Sequence, residues 1–180
     1  YGVHMPDGSY TDLILREFQT EGVTVAEFSN GGAKVETNAG RLAWNGERYN
    51  AFTISARDCA IPNLMPVTGG LLRLDISGDC TIDGGGEPCF NGFDCVLITG
   101  DGTLTCPALW LQNAALVVKG DTLHVTGDCS IEKGSVTVEG GTLILDSGLW
   151  LGEGDVTVAG GEIVVPGGED ALCLDKGNIA

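Results

Sequence analysis

The stretch VTVEGGTLILDSGLWLGEGDVTVAGGEIVV, residues 136–165, decides the fold because it nearly repeats itself. The phrase VTVEGGTLIL returns 20 residues later as VTVAGGEIVV. Related phrases occur upstream, so that a strand-like segment ends at a glycine every 20 to 22 residues. These glycines are Gly78, Gly100, Gly120, Gly140 and Gly160. A short and nearly constant period of this kind is the sequence signature of a solenoid.

Each repeat contains three short segments in which apolar and polar residues alternate, as in half-buried strands. Val118, Val138 and Val158 hold the same inward position in three successive repeats. The sequence therefore predicts an all-β fold, a right-handed parallel β-helix with three strands and about 20 residues per coil. The glycine that ends the first strand marks a corner with positive φ. An antiparallel sandwich is the rival fold, but hairpins do not require a constant step.

The repeat pattern also divides the chain into two parts. Residues 1–22 are predicted to form an N-terminal cap, in which residues 9–22 (SYTDLILREFQTEG) are a short helix or, alternatively, an edge strand. Such a cap would cover the core and the strand edge that a bare solenoid end exposes. Residues 23–180 are predicted to form a single β-helix domain. Within it, residues 51–70 form one coil and residues 23–46 another with longer corners.

The charge of the chain limits the partners it can have. A net charge of −16 with only nine Lys and Arg argues against nucleic acids and against anionic membranes. No apolar run is long enough to insert into a membrane. The composition fits a protein that is extracellular or on the cell surface.

An aromatic stripe runs along the outward side of the third strands. The outward residues there are Phe90, Trp110, Ser130, Trp150 and Cys173. Because adjacent coils stand about 4.8 Å apart, Trp110 and Trp150 are expected about 9.6 Å apart, close to the repeat of a β-1,4-linked disaccharide. Indole rings can stack on sugar rings while Gln112 and Asn113 bind hydroxyls. The alternative is that the stripe is covered by packing or by assembly contacts.

An acidic set follows the corner glycines. Asp79, Asp101 and Asp121 each come directly after one of these glycines, in three successive coils. Stacked carboxylates would repel one another unless a hard cation neutralised them, so Ca²⁺ is a candidate cofactor. The alternative is that these are solvated turn residues.

The seven cysteines include no Cys-x-x-Cys pair, which argues against a zinc site. Cys80 and Cys106 fall on inward positions and are expected to stack in neighbouring coils. Cys89 and Cys95 flank a short loop that a disulfide can bridge. Cys173 is outward and is the candidate for an unpaired or intermolecular thiol.

The repeat phrases also resemble a known family. ISGDCTIDGGG (76–86), LITGDGTLTC (97–106) and VTVEGGTLIL (136–145) look like secreted, calcium-associated, carbohydrate-binding β-helix domains of clostridial and other gut bacteria. These domains share their fold with the pectate lyases. The resemblance covers about residues 50–178 and implies polysaccharide binding without established catalysis.

One further segment of the sequence bears on whether the chain is a glycosidase. GGEDALCLDKGNI (167–179) is similar to a polygalacturonase signature, with Glu169 and Asp170 at the paired carboxylates. Those enzymes need a further carboxylate and a downstream histidine, but the only histidines here are His4 and His124. We therefore expect a non-catalytic module. The alternative from a different class is a structural protein whose copies stack head to tail into a fibre or surface layer.

Overall fold

The structure is a computed structural model. It describes residues 51–63, 70–83, 88–167 and 171–180, and the backbone of six strands between residues 2 and 49. The described residues form strands, turns and bends, with no helix among them. The all-β prediction is confirmed.

The strands are numbered in chain order. The early strands are β1 (Gly2–His4), β2 (Tyr10–Asp12), β3 (Gly22–Ser29), β4 (Gly32–Ala39), β5 (Leu42–Trp44), β6 (Glu47–Tyr49), β7 (Ala51–Arg57) and β8 (Ala60–Pro62). The middle strands are β9 (Leu71–Ser77), β10 (Asp79–Asp83), β11 (Cys95–Gly100), β12 (Thr103–Cys106), β13 (Leu109–Lys119) and β14 (Thr122–Val125). The last are β15 (Cys129–Glu139), β16 (Thr142–Leu145), β17 (Leu149–Val158), β18 (Glu162–Val164) and β19 (Leu172–Lys176).

Two large sheets run the length of the molecule. The first has nine strands in the order β19-β17-β15-β13-β11-β9-β7-β3-β4, and the second has six in the order β18-β16-β14-β12-β10-β8. From β7 onward every strand pairs in parallel with its counterpart one coil away. The chain alternates between the two sheets as it advances, which is the arrangement of a parallel β-helix.

The three segments predicted for each coil form two strands in the structure. The second segment is a short straight strand, and the third segment continues into the first segment of the next coil as one long bent strand. β13 contains the third segment of one coil and the first segment of the next. Its pairing with β15 is interrupted at Gln112, because the register passes from Leu111–Ile131 to Asn113–Lys133. The bend at this point supplies the third corner of the coil.

The early strands combine parallel and antiparallel pairing. β3 pairs in parallel with β7, as a preceding coil would, whereas β4 pairs with β3 and β5 with β6 as antiparallel hairpins. Regular stacking over residues 23–46 is therefore limited to β3. In the predicted cap, β1 and β2 pair antiparallel, so Tyr10–Asp12 is a strand. Gly22 begins β3, and residues 9 and 13–21 of the predicted helix lie outside the described residues.

The core is a set of ladders, meaning side chains at the same position of successive coils. Val118 is in register with Val138, and Val138 with Val158, as the repeat predicts. The second sheet adds a ladder that includes Leu104, Leu123 and Leu143, all fully buried. This apolar burial is the main stabilising contribution to the fold.

Glycine ladders occupy two kinds of corner. The predicted corner glycines take positive φ, as at Gly120 (φ 79°) and Gly140 (φ 74°). A second ladder at the bend of the long strands, Gly134 (φ 146°) and Gly154 (φ 151°), was not predicted. A Cβ at Gly154 would collide with the carbonyl oxygen of Gly134 in the coil below, so only glycine fits.

The described residues include no helix that is long and apolar enough to cross a membrane.

Candidate functional site

The two predicted tryptophans lie on one outward ladder of the nine-stranded sheet. Trp110 is in register with Ser130, Ser130 with Trp150, and Trp150 with Cys173. The two tryptophans are 37% and 40% exposed, among the most exposed large apolar residues that the structure describes. Two strand spacings separate them, about 9.6 Å. Both tryptophans therefore point outward on one ladder, as the repeat predicts, and their role in sugar binding stays a prediction.

The Trp150 indole lies along its own strand. A Cβ at Gly152 would lie 3.2 Å from Cη2 and 3.4 Å from Cζ2 of Trp150. The six-membered ring therefore occupies the space above Gly152, on the same side of the strand two residues along. A ring held against the sheet in this way exposes a face to solvent, and that face is the part of an indole that stacks on a sugar ring.

A cleft opens beside Trp150. Its volume is about 390 Å³, and the residues that line it include Asp128, Ser130, Ser147 and Cys173. The corner before β15 supplies Asp128, and the corner before β17 supplies Ser147. A carboxylate and two hydroxyls beside an exposed indole are the groups that bind a polar ligand with an apolar face.

The bend of the long strands borders the tryptophan ladder. Gln112 and Asn113 are exposed at this bend, as predicted. Asn113 is in register with Lys133, followed by Glu153 and Lys176 in successive coils. The Lys133 Nζ lies 3.5 Å from Glu153 Oε2, a solvent-exposed ion pair of small energetic value. This border supplies polar groups with both signs of charge.

Phe90 is predicted on the aromatic stripe, and this prediction is wrong. Its side chain is 1% exposed and belongs to the main core. The parallel pairing of this segment ends at Cys89, which bridges to Leu109, and Phe90 has a left-handed backbone with φ 63°. That conformation ends the strand alternation on which the outward assignment depends. The aromatic surface is thus a pair of tryptophans.

The three predicted calcium ligands do not form one ladder. Asp79 is in register with Thr103, whereas Asp101 and Asp121 occupy the preceding corners of their own coils. Over the residues that the structure describes, no group of three or more His, Cys, Asp or Glu is placed to hold a metal ion. The three carboxylates therefore do not share one register position, although Asp101 lies close enough to Asp121 to raise its pKa, and Ca²⁺ stays an untested prediction.

Asp121 is nevertheless unusual among the acidic residues. It is 2% exposed, its Oδ1 accepts a hydrogen bond from the Thr122 N–H at 2.8 Å, and its Oδ2 has no partner. Burial, and secondarily the nearby Asp101 carboxylate, raise its pKa from an ordinary 3.8 to about 6, against the opposing effect of hydrogen bonds from Thr122 and Gly102. In the neighbouring coils this corner position is Gly102 and Gly141.

The charged residues considered for catalysis lie outside the cleft beside Trp150, or outside the described residues. Arg73 Nη2 lies 2.9 Å from Asp75 Oδ1 and forms a surface ion pair with it. Thr99 also donates a hydrogen bond to Asp75. His124 Nε2 lies 3.0 Å from Asp146 Oδ1 on the outward side of the six-stranded sheet. Glu169 and Asp170 lie outside the described residues.

Comparisons of the chain with protein-family models, with curated proteins and with solved structures found no match. The structure supports the β-helix component of the resemblance. Its carbohydrate-binding and bacterial components remain predictions.

Sequence reasoning missed most of the cleft. Asp128, Ser147 and Gly148 line it, but they lie in corners whose side-chain directions do not follow strand alternation. Ser130 was visible as the residue between the two tryptophans on their ladder. The repeat phrase Gly-Asp-Cys at 127–129, which precedes the ladder, was the available signal for Asp128.

Proposed function

We propose that this chain is a polysaccharide-binding module that lays a glycan across Trp110 and Trp150. The observation that carries the proposal is the register of β13, β15 and β17, which places two exposed indoles on one face with only Ser130 between them. Ser130 is small enough to leave a continuous shallow surface between the rings. Two sugar rings of one extended chain can then stack on the two indoles together.

The charges around this face favour a neutral or amino sugar over a uronic acid. Asp128 lies in the cleft beside Trp150, and Lys133, on the neighbouring row at the bend, forms an exposed ion pair with Glu153. The chain as a whole carries a net charge of −16. A polyuronate would have to approach this field without a free cation in the cleft lining, which would slow and weaken its binding.

Isothermal titration calorimetry tests the proposal, with a neutral β-1,4-glucan oligosaccharide, a chitosan oligosaccharide and polygalacturonate as ligands. We expect binding of the first two and none of the third. Trp110→Ala and Trp150→Ala should each raise the Kd at least about tenfold, since each removes one stacking surface. The double variant should abolish binding.

Two variants serve as controls. Trp150→Phe keeps an aromatic face and should retain part of the affinity, while His124→Ala changes the outward side of the other sheet and should leave the Kd unchanged. Wild-type affinity in the double tryptophan variant would overturn the proposal. Equal affinity for polygalacturonate would overturn the assignment of sugar class.

The second candidate function is self-assembly, and one observation favours it. The outermost strands β18 and β19 and the bridge beside them carry exposed apolar side chains: Val164 (37%), Leu172 (36%) and Ile179 (56%). A second copy that stacks on this end would bury them and pair both strand edges.

Sedimentation velocity tests this, since Leu172→Asp and Ile179→Asp should dissociate any oligomer. A wild-type protein that sediments only as a monomer would eliminate the candidate.

A further inference from the structure

The cleft beside Trp150 contains an acidic side chain without a basic partner. Among the described residues that line it, Asp128 is the only Asp or Glu, and none is Lys, Arg or His. Asp128 is exposed, and its carboxylate forms no hydrogen bond or ion pair with the part of the chain that the structure describes. The Glu153 carboxylate at the nearby bend is, by contrast, paired with Lys133. The cleft therefore presents an unpaired negative charge to its ligand.

Asp128 is also alone on its row of the stack. Apolar residues begin the third segments in register, and the residues directly before them form one row: Ala108, Asp128, Gly148 and Ala171. Backbone hydrogen bonds fix this row, since the Leu109 N–H donates to the Asp128 carbonyl at 2.9 Å and the Leu149 N–H to the Ala171 carbonyl at 3.0 Å. Gly148 has no side chain, so the position next to Asp128 in the following coil is open and forms part of the cleft.

A sugar stacked on Trp150 would direct one edge toward this carboxylate. When the apolar face of a β-linked pyranose lies on an indole, the equatorial substituents of the sugar point sideways, in the plane of the sugar ring. Asp128 and Ser147 line the same cleft as the indole, so a substituent that enters the cleft meets a carboxylate and a hydroxyl. These groups can accept hydrogen bonds from a hydroxyl or from an amine.

Building on the proposed glycan function, we propose that the cleft selects a sugar with a protonated amino group, such as the glucosamine units of chitosan. The ammonium group donates hydrogen bonds to the Asp128 carboxylate and to the Ser147 hydroxyl. The neighbouring Trp150 indole adds attraction, because the face of an aromatic ring is electron-rich. A hydrogen bond between charged groups is about twice as strong as one between neutral groups, which favours the amine over a hydroxyl. N-acetylation removes the charge and with it this advantage.

The net charge of −16 offers a competing explanation, since it would attract any polycation. The two explanations differ in range. At about 0.15 M salt, charges more than about 8 Å from a ligand are largely screened, whereas a carboxylate in contact with the ammonium group is not. Asp83, an exposed residue at the end of β10 in the other sheet, therefore provides a matched control, because Asp83→Asn and Asp128→Asn remove the same charge.

Cys173 supplies an independent probe of the cleft. All seven cysteines are free thiols and only Cys173 among them is exposed, so the predicted Cys89–Cys95 disulfide is not formed. The predicted stacking of Cys80 on Cys106 is also wrong, because Cys80 is in register with Leu104. Iodoacetamide should consequently alkylate Cys173 alone in the folded protein. A sugar seated in the cleft that Cys173 lines should slow this reaction.

Isothermal titration calorimetry at about 0.15 M salt tests the proposal with hexasaccharides of chitosan, of its N-acetylated counterpart chitin and of a neutral β-1,4-glucan. We expect the chitosan chain to bind wild type at least about tenfold more tightly than the other two. Asp128→Asn should raise the Kd for chitosan to that for the glucan and leave the Kd for the glucan unchanged. Asp83→Asn should retain the preference. Saturating chitosan should slow alkylation of Cys173.

The outcomes separate this inference from the function on which it rests. Equal wild-type affinities for chitosan and glucan, both weakened by Trp150→Ala, would overturn the amine selectivity and leave the glycan-binding proposal standing. Equal losses in Asp83→Asn and Asp128→Asn, or an unchanged alkylation rate at saturation, would likewise overturn the site. Binding of none of the three ligands, or binding that the double tryptophan variant retains, would overturn the glycan-binding proposal and this inference with it.

Discussion

Asp121 carries a carboxylate at a buried corner where the neighbouring coils have glycine. Because its folded-state pKa of about 6 lies above its ordinary 3.8, its ionisation destabilises the folded state. The unfavourable effect is absent below about pH 4 and is complete above about pH 6, so wild-type stability should fall across that interval by roughly 3 kcal/mol. Asp121→Asn should remove this fall and raise the melting temperature at pH 7.5.

The measurement is thermal unfolding of wild type and Asp121→Asn at several pH values from 3.5 to 7.5. The difference between the two proteins isolates this residue from the other carboxylates. Asp101→Asn, an exposed neighbour, serves as the control and should give a smaller change. Parallel pH profiles for wild type and Asp121→Asn would contradict the assignment.

Gly154 is the residue at which backbone sterics are strictest. Its φ of 151° and the carbonyl oxygen of Gly134 leave no space for a Cβ. Gly154→Ala should lower the melting temperature by roughly 5–10 °C, since the two stacked strands must move apart. Gly160→Ala is the matched control, because Gly160 has φ 81° but no atom within 4 Å of the position that a Cβ would take. A smaller effect at Gly154 than at Gly160 would contradict this account.

At the residue scale, the sequence predicts strand residues better than corner residues. Trp110 and Trp150 were placed correctly because strand alternation determines their direction. Phe90 and the three aspartates were misplaced because they lie at or beside corners, where one residue more or less changes both the side-chain direction and the register. Asp79 illustrates this, since it follows its glycine directly yet begins a strand beside Thr103.

At the element scale, the second-sheet strands test the packing of the core. Leu143 in β16 is fully buried between Leu123 and Ile163 of the adjacent coils. Leu143→Ala should destabilise the protein by about 2–5 kcal/mol, because stacked coils cannot collapse into the space left behind. Thr142→Ala, on the outward side of the same strand, should cost no more than about 0.5 kcal/mol. Chemical denaturation measures both, and equal effects would contradict the assigned faces.

The 20-residue repeat predicts the individual strand segments, but it does not predict which of them join into one continuous strand. Val118 is predicted to point inward and is buried, and so are Leu109, Leu111 and Leu116. The sequence did not reveal that these two segments form the single bent strand β13, because apolar alternation continues on both sides of the bend. The glycine at the bend, Gly134 in the next coil, was the signal, and it is shared with Gly154 and Gly177 in the coils beyond.

At the scale of the whole molecule, stacking makes stability depend on position along the axis. Each coil contacts only its neighbours, so inner coils should be protected more than outer ones. Hydrogen exchange should be slowest for the amides of β15, which lies between β13 and β17, and fastest for β19, the outermost strand of its sheet. Mass spectrometry of the peptides measures this gradient. Uniform protection along the stack would indicate that the coils unfold as one cooperative unit.

The architecture of the whole could be predicted because one repeating pattern determines it from residue 51 onward. The earlier strands departed from it, with hairpins at β3–β4 and β5–β6 where the period is weak. Function followed less directly, since the same exposed tryptophans are compatible with a glycan or with a partner protein. Their joint position on one ladder is the feature that favours the glycan.

The most direct test of the central claim is the NMR spectrum of the indole N–H groups during titration with a neutral β-1,4-linked hexasaccharide. The chain has only three tryptophans, so Trp110→Phe and Trp150→Phe assign the two signals of interest. We predict that both signals shift together with one Kd, and that a disaccharide too short to span the rings binds at least about tenfold more weakly. Two unmoved signals, or two that shift with unrelated affinities, would contradict the claim that these residues form one binding surface.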